Sequence, residues 1–422
     1  MAKTVACIQS ISIFEQLRIH FLSFVFGVWV ICKKLVKWVW VPKDSSIVTL
    51  RDTPPGILVD SSLGQHKHVK LKGVKLHYVE SGPPDQPLIL LLHGFPDFWL
   101  SWRFQIPVFS INFHVVALDL KGFGDSDKPA WRSSYKIDKI LEELTQFIHS
   151  FGVTNCTIIG HDLGALLGWY LVYQNPSVVN KFVAVSCPHP NVYWKTFNSS
   201  YNYQWLNYVQ LPYLPEIDAL KEDMKIIDQY YKHLPTKDVH LDAYKYTFSR
   251  KEDWTGAINY YRNLPLFKVS ENLGQIEVPV ILMIGSKDQY VSLEGLVKST
   301  EYCEYFRLHV VEDCGHYPQQ ENPEAFNSLL LKYFIEKSTD KKESITPSKR
   351  FINGIFGAVS NTVKYGNSML ENVQKKTNGV VNSIPFTMNL NGGVIFPLPR
   401  SLLTILMRTC IKSLSFDYKF FK

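Results

Sequence analysis

Five continuous apolar runs, at residues 87–92, 115–118, 157–159, 182–185 and 280–284, are separated by stretches with apolar positions at helical spacing, as over residues 139–151. Short runs without a polar face predict strands covered on both sides, and strand alternating with helix predicts a mostly parallel sheet. Ahead of them, residues 68–73 and 74–80 alternate in polarity and predict a hairpin. Between about residues 190 and 271 the alternation stops. That segment is rich in Tyr, Trp and Pro, helical in patches, and predicts a helical cap inserted between two halves of one sheet. The sheet pattern resumes at residue 279 and closes with a helix from 323 to about 336. An insertion so placed covers the carboxyl ends of the strands, where open α/β sheets bind ligands.

The flanks differ from this central region, which we bound at residues 46–336. Residues 21–32, FLSFVFGVWVIC, are followed by Lys33-Lys34 and a second apolar piece at 35–41. Neither piece reaches the ~20 residues that a ~30 Å hydrocarbon core requires. Together they predict one anchor within residues 1–45, the lysines snorkelling and Trp38 and Trp40 at headgroup level. A complete span is left open. A cleaved signal peptide competes with this reading, although no small-residue cleavage site follows the run. Lysines after the run favour a cytosolic catalytic region by the positive-inside rule, whereas the sequon Asn198-Ser199-Ser200 would suit the lumenal side. Residues 337–422 form a polar linker and a tail. Ile352, Ile355, Phe356, Val359, Val363, Met369, Leu370 and Val373 fall on one face there, as in an interfacial helix, with a disordered tail as the alternative.

The formal net charge of +7 over 422 residues is modest, and its Lys and Arg form no stripe with interleaved aromatics. Nucleic acid is therefore not an expected partner, whereas basic residues near both ends fit a membrane lipid surface. The seven cysteines are scattered without a C-x-x-C pair, so neither a disulfide framework nor a zinc site is expected. No metal, nucleotide, flavin or other cofactor motif is expected either.

The chemistry centres on Gly160-His161-Asp162-Leu163-Gly164-Ala165, which follows one apolar run and opens a helical pattern. Small residues around the middle position let strand and helix approach closely, as in a strand-to-helix elbow that presents a nucleophile. A carboxylate there attacks carbon and forms an alkyl ester. A lone Asp before a helix is more often only an N-cap, so the motif needs partners. Asp288 follows the run 280–284, and His316, in Asp313-Cys314-Gly315-His316, follows the run 306–311. Each would stand at a strand's carboxyl end, in the order nucleophile, acid, histidine.

On these residues the sequence resembles the epoxide hydrolases of the α/β-hydrolase fold, among them the membrane-anchored animal forms, over residues 50 to 336. The motifs are Leu92-His93-Gly94-Phe95-Pro96-Asp97, Asp119-Leu120-Lys121-Gly122-Phe123-Gly124-Asp125-Ser126, the elbow, Asn259-Tyr260-Tyr261-Arg262-Asn263, and Gly315-His316. The resemblance implies an α/β sheet flanked by helices with an inserted cap. It also implies conversion of lipophilic, including fatty-acid, epoxides and water to vicinal diols, at the endoplasmic reticulum membrane. By that resemblance Asp162 attacks an epoxide carbon and Tyr261 donates to the ring oxygen. His316, oriented by Asp288, then activates water, and the backbone N–H groups of Phe95 and Leu163 form an oxyanion hole. Two positions depart from the pattern. A second cap tyrosine would fall on Trp205, whose indole N–H is not acidic, so Tyr203 or Tyr208 takes that role or one phenol serves alone. Leu163 stands where the family usually has Trp. The rival readings are a dehalogenase with the same nucleophile and a non-catalytic, membrane-tethered protein of the fold. Leu163 and Leu166 replace the arginines that hold a haloacid, and Leu163 and Phe95 replace the halide-holding Trp and Asn.

Overall fold

The computed structural model describes residues 7–40, 51–197, 202–234 and 238–335. The sequon at 198–200 and the amphipathic pattern of residues 352–373 lie outside them. Ten strands are present among the described residues: β1 Ile8–Ser10, β2 Gln65–Leu71, β3 Val74–Ser81, β4 Leu88–Leu92, β5 His114–Leu118, β6 Cys156–His161, β7 Val179–Val185, β8 Phe267–Val269, β9 Val280–Gly285 and β10 Phe306–Val311. Eight of them form one sheet in the order β10-β9-β7-β6-β4-β5-β3-β2. The six from β10 to β5 run parallel, and β3 and β2 add an antiparallel hairpin at one edge. Every residue of β4, β5, β6 and β9 is buried, as their unbroken apolar runs require.

The helices are α1 Ile13–Trp40, α2 Ile106–Phe109, α3 Ile137–His149, α4 Leu163–Gln174, α5 Pro190–Phe197, α6 Asn202–Val209, α7 Leu214–Ala219, α8 Lys221–Tyr230, α9 Val239–Thr247, α10 Lys251–Asn263, α11 Leu293–Ser299, α12 Pro318–Glu321 and α13 Pro323–Ile335. In α3, Ile140, Leu141, Leu144, Phe147 and Ile148 are buried while Asp138, Lys139 and Glu142 are exposed, the one-sided stripe of a helix laid on a sheet. Helices α5 to α10 make up the cap between β7 and β9.

Tyrosines fasten the cap to the loops at the strand ends. The Tyr231 hydroxyl donates to Pro96 O at 2.6 Å, Tyr244 to Asp97 Oδ1 at 2.9 Å and Tyr260 to Lys121 O at 2.9 Å. Within the cap, buried Arg262 of α10 donates to Val209 O, Leu211 O and Glu216 Oε1 at 2.6 to 2.8 Å. One guanidinium thus fixes α6 and α7 against the helix that carries Tyr261.

The N-terminal segment departs from the two-piece pattern of the sequence. The first apolar piece, the lysines after it and the second piece as far as Trp40 belong to one helix, α1, of 28 residues. Its stretch Ile13–Val36 is the one helix among the described residues that is long and apolar enough to cross a membrane. β1, just before it, pairs antiparallel with β8 in a separate two-stranded sheet.

Candidate active site

β6 runs into α4 through Asp162, which adopts φ 45° and ψ −111°. A non-glycine residue at such a dihedral is strained and persists only where its surroundings enforce it. Here the Asp162 N–H donates to Val185 O at 3.0 Å and Leu166 N–H to Asp162 O at 2.9 Å. Gly160 and Gly164 permit the turn. A Cβ on Gly160 would come within 2.6 Å of Ala165, and one on Gly164 within 2.3 Å of Leu92 O. The elbow therefore projects the Asp162 carboxylate beyond the carboxyl end of β6, beneath the cap.

Donors converge on that carboxylate. Phe95 N–H reaches Asp162 Oδ2 at 3.1 Å, and the Leu163 N–H also hydrogen-bonds the group. The Tyr261 hydroxyl, from α10, donates to the same Oδ2 at 3.3 Å. Burial pushes the Asp162 pKa above its ordinary 3.8, opposed by the charge of His316 and these donors. Burial and then the Asp162 charge hold the Tyr261 phenol well above 10, so its proton is retained for donation.

The loop after β9 supplies Asp288 and the loop after β10 supplies His316. His316 Nδ1–H donates to Asp288 Oδ2 at 3.0 Å, and Asp288 Oδ1 accepts from Tyr290 N at 2.8 Å and Val291 N at 3.0 Å. This leaves the other ring nitrogen, Nε2, with its lone pair for a water. Burial penalises the His316 cation, and the charges of Asp288 and Asp162 outweigh it, so its pKa is raised above 6.5. Burial likewise opposes the Asp288 charge, and His316 with the two backbone N–H groups outweighs it, lowering that pKa below 3.8.

The structure thus brings together Asp162, Asp288, His316, Tyr261, Phe95 and Leu163. The residues named for a second phenol fare differently. The Tyr208 hydroxyl donates to Asp218 and to Leu214 O, within the cap rather than at Asp162. The side chain of Tyr203 lies outside the described residues. Trp205 packs edge-on to Tyr261, with ring centres 4.6 Å apart, and against Phe95 at 5.9 Å, so it forms apolar pocket wall. Two cap tyrosines that sequence reasoning passed over lie within electrostatic range of Asp162, as do Tyr290 and Tyr317 outside the cap. The two in the cap are Tyr193 of α5 and Tyr230 of α8, whose phenols are raised well above 10 by burial first and with Asp162 among the further causes. Their only sequence signal was membership of an aromatic-rich insertion.

A second acid–base layer was quoted in the motifs but left unassigned. His161 Nε2–H donates to the His316 carbonyl at 2.9 Å, and its Nδ1 lies 4.0 Å from Asp97 Oδ2. Burial depresses His161 to about 3 and lifts Asp97 to about 6. A neutral His161 braces the backbone that holds the His316 imidazole. Among the described residues no cluster of His, Cys, Asp and Glu could hold a metal ion.

This arrangement combines a desolvated carboxylate, a protonated phenol beside it and a carboxylate-oriented imidazole. The chain matches the α/β hydrolase fold family over residues 87–323. It is 35% identical over 319 residues to epoxide hydrolase 4 of Homo sapiens, covering 69% of this chain and 85% of that one. To epoxide hydrolase 2 of Caenorhabditis elegans it is 30% identical over 286 residues, covering 65% and 81%. An epoxide hydrolase of Bacillus megaterium, crystallised with an inhibitor, superposes with a TM-score of 0.56 at 30% identity, covering 64% of this chain and 99% of its own.

Proposed function

The chain belongs to the epoxide hydrolases of the α/β-hydrolase fold, and from that premise we propose that it opens lipophilic epoxides, including fatty-acid epoxides, to vicinal diols through an ester on Asp162. What carries the reading is the convergence of a protonated phenol and two backbone N–H groups on one buried carboxylate. An Asp162 oxygen attacks the less hindered epoxide carbon, the C–O bond of the ring breaks, and the departing oxygen takes the Tyr261 proton. The phenolate so formed is reprotonated from solvent before the next turnover. His316 then removes a proton from water, and the hydroxide adds to the ester carbonyl carbon. Phe95 and Leu163 N–H groups stabilise the resulting oxyanion, and His316 returns its proton as the diol leaves. The walls of Phe95, Leu163, Trp205 and Tyr261 are apolar, which supports a lipophilic substrate.

The diol in this scheme keeps the epoxide oxygen and takes its second oxygen from Asp162. One turnover in ¹⁸O-water, with enzyme in excess, therefore leaves the heavy atom in the Asp162 peptide and none in the diol. A labelled diol beside an unlabelled peptide overturns the reading. Tyr261→Phe removes the only assigned acid and lowers kcat by about 10²- to 10⁴-fold. A smaller loss assigns protonation to Tyr193 or Tyr230, to be checked by Tyr193→Phe and Tyr230→Phe in the same assay.

A further inference from the structure

We infer that α1 does not cross the bilayer but lies in the plane of a phospholipid leaflet as an outer layer of the cap, one face on the cap and the other in lipid. The chain is held by the catalytic body both before and after the helix. Before it, Ile8 pairs with Val269 and Ser10 with Phe267, and Ile11 N–H donates to Leu266 O at 2.9 Å. After it, Arg51 forks onto Asp223 of α8 at 2.6 and 2.9 Å. A helix of 28 residues is about 42 Å long at ~1.5 Å per residue, and a span would put its ends on opposite sides of a ~30 Å core. Spanning would tear β1 or Arg51 from the domain that holds them both.

The two long faces of α1 differ. Gln16, Ile19, Ser23, Gly27, Val30 and Lys34, spaced three and four apart, turn inward. Ser23 Oγ donates to Asn207 Oδ1 of α6 at 3.1 Å, Val30 is buried, and Lys34 pairs with Asp218 of α7 at 2.5 Å. At Gly27 an added Cβ would meet Leu211 at 2.6 Å, so the helix backbone approaches the cap closely. On the other side Phe14, Leu17, Phe21, Phe24, Val28, Ile31 and Leu35 repeat at the same spacing and are 47 to 77% exposed. A continuous stripe of that kind is an interaction surface.

Its occupant is acyl chain rather than a second copy of this chain. A two-helix seam on this stripe would be flanked by Ile13 and His20 on one side, Gly27 and Lys34 being taken up by the cap, and by Arg18, Val25 and Cys32 on the other. No acidic residue stands among them, so opposite-charge pairs across such a seam cannot form. Mean hydropathy of 1.7 over Ile13–Val36 and three phenylalanines on the stripe fit a lipid interface. Helix α6 then separates lipid from chemistry. Its Tyr208 meets Phe26 of α1 edge-on at 6.5 Å, and its Trp205 meets Tyr261. Resting on the epoxide reading, this gives the substrate a route from the leaflet past the edge of α1 and one further cap helix, α6.

Nitroxide labels placed singly at Leu17, Phe24 and Ile31 of the full chain on phosphatidylcholine vesicles decide the orientation. Equal immersion depth at all three is expected. A Phe24 label far deeper than the other two means a span and overturns the inference. Labels unreached by lipid in a protein that sediments as a dimer overturn it in favour of a second copy. These depths need no substrate, so an inert protein with equal depths sinks the epoxide reading alone. The double change Phe21→Glu, Phe24→Glu lowers vesicle binding by about 10²-fold or more. It leaves kcat on a water-soluble epoxide unchanged and raises KM for a vesicle-dissolved one; an unchanged KM for the latter overturns the entry route.

Discussion

Asp162→Asn lowers diol formation by about 10⁴- to 10⁶-fold, the scale on which removing an enzyme's nucleophile acts. An amide oxygen is uncharged and too weak a nucleophile to displace an epoxide oxygen, and among the described residues the nearby carboxylates are engaged elsewhere. Asp288 is committed to His316 and to two backbone N–H groups, and Asp97 is held by Ser101, Tyr244 and its own neighbour Phe98. The same change alters stability with a sign that separates a catalytic role from a structural one. The folded-state pKa of Asp162 lies above 3.8, so the native chain holds this proton more tightly than the unfolded chain. Stability therefore falls as pH rises from the unfolded value through the folded one. Removing Asp162 also lowers the raised pKa of His316, and that contribution has the same sign. The urea midpoint of the natural protein, relative to the variant, should decline steadily from about pH 4 upward. A variant that keeps more than a hundredth of the activity, or a midpoint difference that rises with pH, contradicts the assignment.

Much of this site could be read along the chain because each polar group closely follows a strand, two of them, β6 and β9, buried throughout. β6, β9 and β10 deliver Asp162, Asp288 and His316 in turn, and a parallel sheet sends all its carboxyl ends to one edge. The helical cap was legible for the opposite reason, as the place where strand runs stop. Three-residue strands carry no periodicity, so the pairing of β1 with β8, distant in sequence, left no trace in the pattern. The docking of α1 was hidden as well. A helix apolar on its lipid side and only sparsely polar on its protein side reads as uniformly hydrophobic, and Lys34 looked like a flank until Asp218 appeared opposite it. Whether Tyr203, Tyr208 or neither supplies a second phenol stayed open in the sequence because spacing along a helix does not say which partner a phenol finds; Tyr208 finds Asp218. Tyr193 and Tyr230 were passed over because an aromatic-rich cap gives no local signal for the phenols that come within electrostatic range of Asp162.

His316→Gln separates the two halves of the reaction. Ester formation needs Asp162 and the Tyr261 proton, both untouched, so one equivalent of epoxide should add within a single turnover. The protein's mass then rises by the full mass of the substrate, since nothing leaves. Hydrolysis loses its base, and steady turnover falls by about 10²- to 10⁴-fold or more. The natural enzyme tests the same residue through pH. Burial opposes the His316 cation in the free protein, but Asp288, Asp162 and, more weakly, Glu321 outweigh it and raise its pKa above 6.5. Esterification removes the second charge, so the imidazole pKa drops when the ester forms and the base becomes available at the step that uses it. The rise of kcat with pH, which reports the esterified enzyme, should fall at lower pH than the His316 titration followed by NMR in the free protein. Asp288→Asn should move both downward, because the remaining attraction for the cation is weakened. Coincident profiles would mean that Asp162 stays charged throughout, which no ester mechanism permits.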